Sequence, residues 1–330
     1  MAQKEHSLLA LYKFFLIFFG ILFALYLAFA LILDYNASFI VDITGILVVI
    51  FAKPFGIPAV YEDTFITVSG FTMHIDTECA ALHYISIFIA AVFASPPHNI
   101  SHKIKGIFTG TVIIIFINIV RIAVLGLVGA NFPAIFDFIH IYLWQGAFAI
   151  AVFIVWLSWT RGASDDKSLM RFSSVAIVVS GFAIFGLWLV MEPYLNVLAG
   201  ISEGVFHAFL INNSFSIGST KDMITFEFNH SGPRVNFPIW VDVFDSSIFF
   251  ALMIASAKAN DIARLAIKLM CGMGILSLVH LIFVIVIGYL VVQKVSIDSE
   301  LVLNTLFMMR IFSIVIPIAL WALVSPKKWA

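Results

Sequence analysis

Six stretches of the chain, residues 14–33, 107–129, 138–159, 172–190, 270–292 and 301–324, run almost without charge for the length a helix needs to cross a bilayer, about 20 residues at 1.5 Å each. In lipid every backbone N–H and C=O of such a segment must be satisfied within the protein, and a helix does this within a single segment. Two shorter apolar runs, 80–94 and 246–257, have polar ends and are half-spans in isolation, yet threading the chain through the bilayer needs both to cross. The sequence therefore predicts an all-α polytopic membrane protein with about eight transmembrane helices. Composition agrees: of 330 residues, 62% are hydrophobic and only 11% charged, where a soluble domain carries about a quarter. A net charge of -1, with the basic residues dispersed along the chain, argues against nucleic acid as a partner. The segment before the first span carries Lys4, Glu5 and Lys13; no small-residue cleavage site follows, so that span reads as a retained anchor and not a signal peptide.

An even number of spans returns both termini to one side, and the basic residues sort accordingly. Lys4, Lys13, Lys103, Lys105, Arg161, Lys167, Arg171, Lys258, Arg264, Lys268, Lys327 and Lys328 fall on one side, and Lys53, Lys221, Arg234 and Lys294 on the other. Arg121 and Arg310 lie inside spans. The expected location is the cytoplasmic (inner) membrane, multi-pass, with both termini in the cytoplasm.

The long external segments, 34–78 and 192–245, read alike. Each opens with an amphipathic helix (39–51 and 195–210), continues through short β-like runs such as Phe65-Ile-Thr-Val and Met223-Ile-Thr-Phe-Glu-Phe, and enters a short helix. These are expected to form small extracytoplasmic β-containing caps. Similar linkers follow, and each half ends in two further spans, so the chain reads as a tandem repeat of two four-helix halves, 1–165 and 166–330, in the same orientation.

Ionisable groups within spans cost roughly 2.5 kcal/mol or more at the bilayer centre and call for a partner or a task. In the first half Cys79 lies at the external end of the second helix after Asp76-Thr77-Glu78, Arg121 in the outer half of the third, and His140 at the external start of the fourth, after Asp137. The charge-derived topology puts all three near one depth. A cysteine beside an imidazole is deprotonated on demand, and a helix N-terminus lowers its pKa further. The thiolate attacks a carbonyl, His140 passes the proton to the leaving amine, and Arg121 stabilises the oxyanion or anchors a carboxylate. Asp137, at i−3, is placed to orient His140, and Asn118 to hold Arg121.

Structural readings stand beside these. A lone membrane cysteine is as a rule a small buried hydrophobe, a lone histidine at a helix start a hydrogen-bonded interfacial residue, and Asp137 fits an N-cap. Arg121, far from a helix end, is functional by default. His280 and Arg310 read as structural, His74 and His83 as reserve bases. Cys79 and Cys271 form no CxxC pair and read as free thiols, and no metal-ligand spacing or phosphate-binding glycine loop occurs, so neither metal nor cofactor is expected.

The run Thr77-Glu78-Cys79-Ala80-Ala81, then Asn118-Ile-Val-Arg121-Ile-Ala, then His140-Ile-Tyr-Leu-Trp-Gln-Gly146 resembles the exosortase and archaeosortase family in residue type, order and placement on successive helices. The resemblance covers about 76–159. It implies a membrane transpeptidase that recognises a C-terminal sorting signal on exported proteins (a short motif, a membrane helix and a basic tail), cleaves it, and joins the new carboxyl end to a lipid or envelope acceptor without a cofactor. By the same resemblance Cys79 is the nucleophile, Arg121 the essential arginine, and His140 the third member found in the bacterial branch. The chain departs from the family in carrying Ala80-Ala81 where Ser-Gly is usual and in a displaced glycine, Gly146. The second half offers Asp245-Ser246 in place of a cysteine, as a degenerate copy without a nucleophile does. A different class fits the same repeat: a transporter or scaffold binding a lipid or small amphiphile, with Arg121 neutralising an anionic headgroup.

Overall fold

The computed structural model describes residues 2–32, 38–76, 79–95, 99–161, 166–209, 215–220, 223–228, 234–237, 246–257, 262–293 and 300–324. The chain divides into two compact units, Met1–His140 with Ala151–Leu169, and Ile141–Ile150 with Met170–Ala330. The order of elements begins with helices α1 (Ala2–Ile32) and α2 (Ser38–Ala52), strands β1 (Ala59–Glu62), β2 (Phe65–Val68) and β3 (Phe71–His74), and helices α3 (Leu82–Ala94), α4 (Ile100–Asn131) and α5 (Pro133–Asp137). A π-helical turn, Phe138–Leu143, then leads to α6 (Trp144–Arg161) and α7 (Asp166–Phe209). Strands β4 (Phe215–Ser219), β5 (Ile224–Phe228) and β6 (Arg234–Phe237) and helices α8 (Ser246–Ser256), α9 (Ile262–Val292) and α10 (Glu300–Val324) complete the chain.

Three helical segments, Ile100–Asn131, Ser168–Ala208 and Ile262–Val292, are long and apolar enough to cross a membrane. A fourth span results if Pro133–Ile141 and Gly146–Thr160, bent by 43°, are taken together. Shorter apolar helices cover Lys13–Ala28, Leu82–Ala94, Ser246–Ser256 and Ile311–Val324. The protein is thus a mostly helical, multi-pass membrane protein.

Two sequence expectations are corrected here. The span expected over 172–190 and the interfacial helix over 195–210 are one continuous helix, α7, with Pro193 inside it. Proline removes a single N–H donor, and in a long apolar helix the flanking turns carry the segment through. Helix α2 is apolar on both sides instead of amphipathic in the charged sense: Val41, Val48 and Ala52 are buried, while Phe39, Ile43, Ile46 and Ile50 form an exposed stripe at helical spacing.

The first sheet is an antiparallel meander in the order β1-β2-β3. Its two hairpins turn on residue pairs with positive φ, Asp63 (47°) with Thr64 (68°) and Ser69 (50°) with Gly70 (86°), the backbone that the strand twist requires of a two-residue loop. Ile66 and Val68 of β2 are fully buried in one core with Val41 and Val48 of α2 and Ile119, Ile122 and Ala123 of α4. Helix α4 approaches this sheet so closely that a Cβ on Gly126 would overlap the Val68 side chain. The second sheet repeats the meander, β4-β5-β6.

Within each unit the short helix after the sheet is held in the same manner. Phe88 of α3 lies on Gly110 of α4, and Phe249 of α8 lies on Gly272 of α9, each ring occupying the place of the missing Cβ. Trp156 Nε1 donates to Ser95 Oγ at 3.0 Å in the first unit, and Trp321 Nε1 donates to Ser256 Oγ at 3.1 Å in the second. Lys103 Nζ donates to the carbonyls of Phe93 and Ser95 at 2.7 and 2.8 Å, capping the end of α3.

Because the β2–α4 contact has no slack, a Gly126→Leu variant is expected to lose about 1–3 kcal/mol by overpacking. A Gly20→Leu control, where no atom lies within 4 Å of the added carbon, should leave stability unchanged, as read from thermal unfolding in detergent.

Candidate active site

Cys79 sits in the turn between β3 and α3, two residues ahead of the helix N-cap, Ala81. The expectation that it occupies the helix N-terminus is therefore corrected: α3 begins at Leu82, and the free N–H groups of its first turn do not belong to Cys79. The turn is built by Asp76. The Cys79 N–H donates to the Asp76 side chain (Oδ1, 2.9 Å) and to its main-chain carbonyl (3.1 Å). Ala81 adopts a left-handed backbone, φ 57° and ψ 18°, which costs an alanine roughly 1–2 kcal/mol and a glycine almost nothing. This is the position where the exosortase pattern carries glycine. Glu78 and Thr77 lie outside the described residues, as does Asp245 of the second half.

Arg121 comes from the middle of α4, 8% exposed, beside Asn118 at 3%. Asn118 joins the two parts of the site: its Nδ2 donates to the Cys79 carbonyl at 2.7 Å, and its Oδ1 accepts from Arg121 Nη1 at 3.4 Å. The sequence reading assigned Asn118 to Arg121 alone and missed the contact with Cys79, which spans 39 positions and leaves no local signal.

His140 lies in the π-helical turn Phe138–Leu143, the kind of widened turn that re-aims side chains and recurs at functional sites. Its ring stacks on Phe136 at 5.3 Å and 25°. Asp137 is exposed at the end of α5 and is not the N-cap of a helix starting there, since helical backbone already runs from Pro133. The aromatic neighbour one turn before His140, and not Asp137, is what the ring rests on.

Cys79, Arg121 and His140 together line a cavity of about 260 Å³, completed by Phe71, Thr72, Met73, His74, Ile75, Ile122, Leu125 and Phe136. All of these residues belong to the first unit. The sequence singled out the three polar members and His74. The apolar wall from β3 and Phe136 carried no signal, because an apolar residue in a strand or short helix reads as core. Among the other candidates, His83 lies against Tyr84 with ring centroids 4.1 Å apart and does not line the cavity. His280 is buried, with its Nδ1 2.7 Å from the Tyr194 hydroxyl, a structural pairing. Both cysteines are free, and Cys271 is exposed on α9.

Residues 7–157 match the family profile described as transmembrane exosortase. Over this part the chain is similar to the exosortase family. The match contains the turn of Cys79, helix α4 and the π-turn of His140, and the family it points to is in general one of membrane cysteine transpeptidases of the sorting type. No curated protein and no solved structure matches the chain.

Burial pushes the Cys79 thiol up to about 11, with the charge of Asp76 adding to the rise and Arg121 opposing it. The resting site therefore holds a thiol and not a thiolate near neutral pH. In a Cys271→Ala background, labelling of Cys79 by iodoacetamide should climb about tenfold per pH unit between pH 7 and 10, with no plateau near the ordinary thiol value of about 8.5. Asp76→Asn removes a negative neighbour and should move that profile to lower pH, as followed by mass spectrometry. The strained turn makes a separate prediction: Ala81→Gly should be neutral or stabilising by up to about 1 kcal/mol, while Ala81→Val should cost more than about 1 kcal/mol in thermal unfolding.

Proposed function

We propose that the protein is a membrane-embedded cysteine transpeptidase that cleaves C-terminal sorting signals of exported proteins and transfers the new carboxyl end to an acceptor in the membrane or envelope. The observation that carries this reading is the convergence of a thiol, an imidazole and a guanidinium, from three separate elements, on one cavity inside the family-matched segment. In the first step the Cys79 sulfur gives up its proton to His140 and forms a bond to the scissile carbonyl carbon. Arg121, with five N–H donors and a permanent charge, holds the tetrahedral oxyanion. The C–N bond breaks as His140 returns the proton to the leaving amine, and a thioester remains on Cys79. The acceptor nucleophile then attacks that thioester, loses its proton to His140, and releases the sulfur. A largely apolar cavity wall limits water, which matters because water at the thioester turns transfer into hydrolysis.

The wider arrangement belongs to the same proposal. Eight crossings place both termini in the cytoplasm and Cys79 on the extracytoplasmic side, as the distribution of basic residues favours. The substrate arrives as a motif followed by a membrane helix and a basic tail. Residues 166–330 form a second, degenerate copy of the first half without a nucleophile. The shared Phe–Gly and Trp–Ser contacts of the two units support this. So do Gly126 and Gly288, each lying against the middle strand of its unit's sheet.

The test is co-expression with a reporter bearing a tripartite tail, followed by immunoblotting for loss of the tail. Wild type should process the reporter. Cys79→Ala, Cys79→Ser and Arg121→Lys should each reduce processing at least about 100-fold, and His140→Ala should do the same, with each protein still present in the membrane. Processing that persists in Cys79→Ser would sink the nucleophile assignment and favour a transporter or scaffold.

A further inference from the structure

Strand β3 is an edge of its sheet, and its outer edge borders the cavity of the candidate site. The ladder fixes which groups lie there. Ile75 N–H donates to the Thr64 carbonyl at 2.8 Å, and Met73 and Phe71 pair with Ile66 and Val68 at the same two-residue spacing. In an antiparallel ladder, hydrogen-bonded positions alternate. The N–H and C=O groups of Phe71, Met73 and Ile75 therefore turn towards β2, and those of Thr72 and His74 turn away from it.

The side chains lead to the same edge. Those of Thr72 and His74 leave on the outer face of the sheet, where the Thr72 hydroxyl lies 2.8 Å from that of Thr67 and the His74 ring 5.2 Å from that of Phe65. Phe71 faces the other way, against Gly129 of α4, and Ile75 is buried. Yet all five consecutive residues from Phe71 to Ile75 border one cavity. A strand that meets a cavity with residues of both faces presents its edge to it. Cys79 follows four residues after Ile75, at the end of this edge.

We infer that the edge of β3, unpaired among the described residues, is the docking strand for an extended segment of the substrate polypeptide, which pairs with the Thr72 and His74 main chain as a fourth strand and thereby brings its scissile carbonyl to Cys79. The inference rests on the transpeptidase reading above. An extended peptide is the occupant because the edge offers a row of main-chain donors and acceptors, which only another polypeptide main chain matches at strand spacing. Specificity then resides in whichever side chains meet the wall of Phe136, Ile122 and Leu125, while the main chain supplies register. The other edge strand, β1, lies against α2, with Tyr61 donating to Asp42 at 2.7 Å.

The experiment measures the rate at which Cys79 of the full-length Cys271→Ala protein in detergent is alkylated at pH 9, read by intact-protein mass spectrometry. Four probes are compared: chloroacetone, acetyl-tetra-alanyl chloromethyl ketone, and two versions of the latter N-methylated on alternate residues. In each case the sulfur displaces chloride, and only the peptide differs. The tetrapeptide should react at least about tenfold faster than chloroacetone, and N-methylation in one of the two registers should cancel at least about fivefold of that gain. Thr72→Pro removes an N–H that the ladder with β2 does not use, and should slow the tetrapeptide without slowing chloroacetone. Equal rates for tetrapeptide and chloroacetone, or a peptide advantage that survives N-methylation in both registers, would overturn edge pairing and leave Cys79 as the nucleophile. Failure of every probe to label Cys79 would overturn the transpeptidase reading, and the docking strand with it. The N-methylated probes act on the unaltered chain, so the outcome does not depend on the folding of Thr72→Pro.

Discussion

Asn118 sits 3% exposed in the middle of a long apolar helix, and its carboxamide serves two partners at once. It donates to the carbonyl of Cys79 and accepts from Arg121. A buried amide left unpaired costs about 1–3 kcal/mol, so the turn that carries the thiol and the helix that carries the cation are held in one arrangement. Asp76 secures the same turn from its other side through the Cys79 N–H. The thiol is thus positioned by main-chain contacts at both of its peptide groups, and its sulfur is left for chemistry.

Small residues make that arrangement reachable. In lipid, helices gain little from apolar burial against one another, and close approach at glycines supplies packing instead. On α4, Gly110 receives the ring of Phe88 and Gly126 the side chain of Val68. The first contact sets α3, and hence the turn before it, against α4; the second sets the sheet, and hence β3, against the helix that carries Arg121. The second unit uses Gly272 with Phe249, and Gly288 with Phe206 and Phe226, in the same way. Among its buried polar residues is His280, paired with Tyr194.

The chemistry follows from where the thiol was left. A cysteine placed within the first turn of a helix would be poised as a thiolate; one placed before the N-cap, buried and near Asp76, rests as a thiol with a pKa of about 11. Such a site is quiet without substrate. If the proposed thioester forms here, a protonated resting state and a mostly apolar wall both work against unproductive reaction. His140, held by its stack on Phe136 in a π-turn, is the base in the proposed mechanism.

Apolar length and spacing are local properties, so the membrane-spanning helices, the two β-rich segments and the order of Cys79, Arg121 and His140 could be read directly from the chain. The intramembrane arginine announced itself because charge in lipid is costly. What the chain could not disclose were relations between distant residues. Whether 172–190 and 195–210 are one helix or two depended on whether Pro193 ended the first, and the surrounding helix carried it through. Whether Cys79 lay inside or before α3 was decided by the Asp76 turn and the left-handed Ala81. Likewise, the wall formed by β3 and Phe136 is made of residues that individually look like core, and only the register of the sheet against α4 turns an ordinary strand edge into the border of the cavity. Sequence determined which groups are present and at what helical period; tertiary structure decided which of them share a cavity, because that depends on hydrogen bonds and close contacts between residues tens of positions apart.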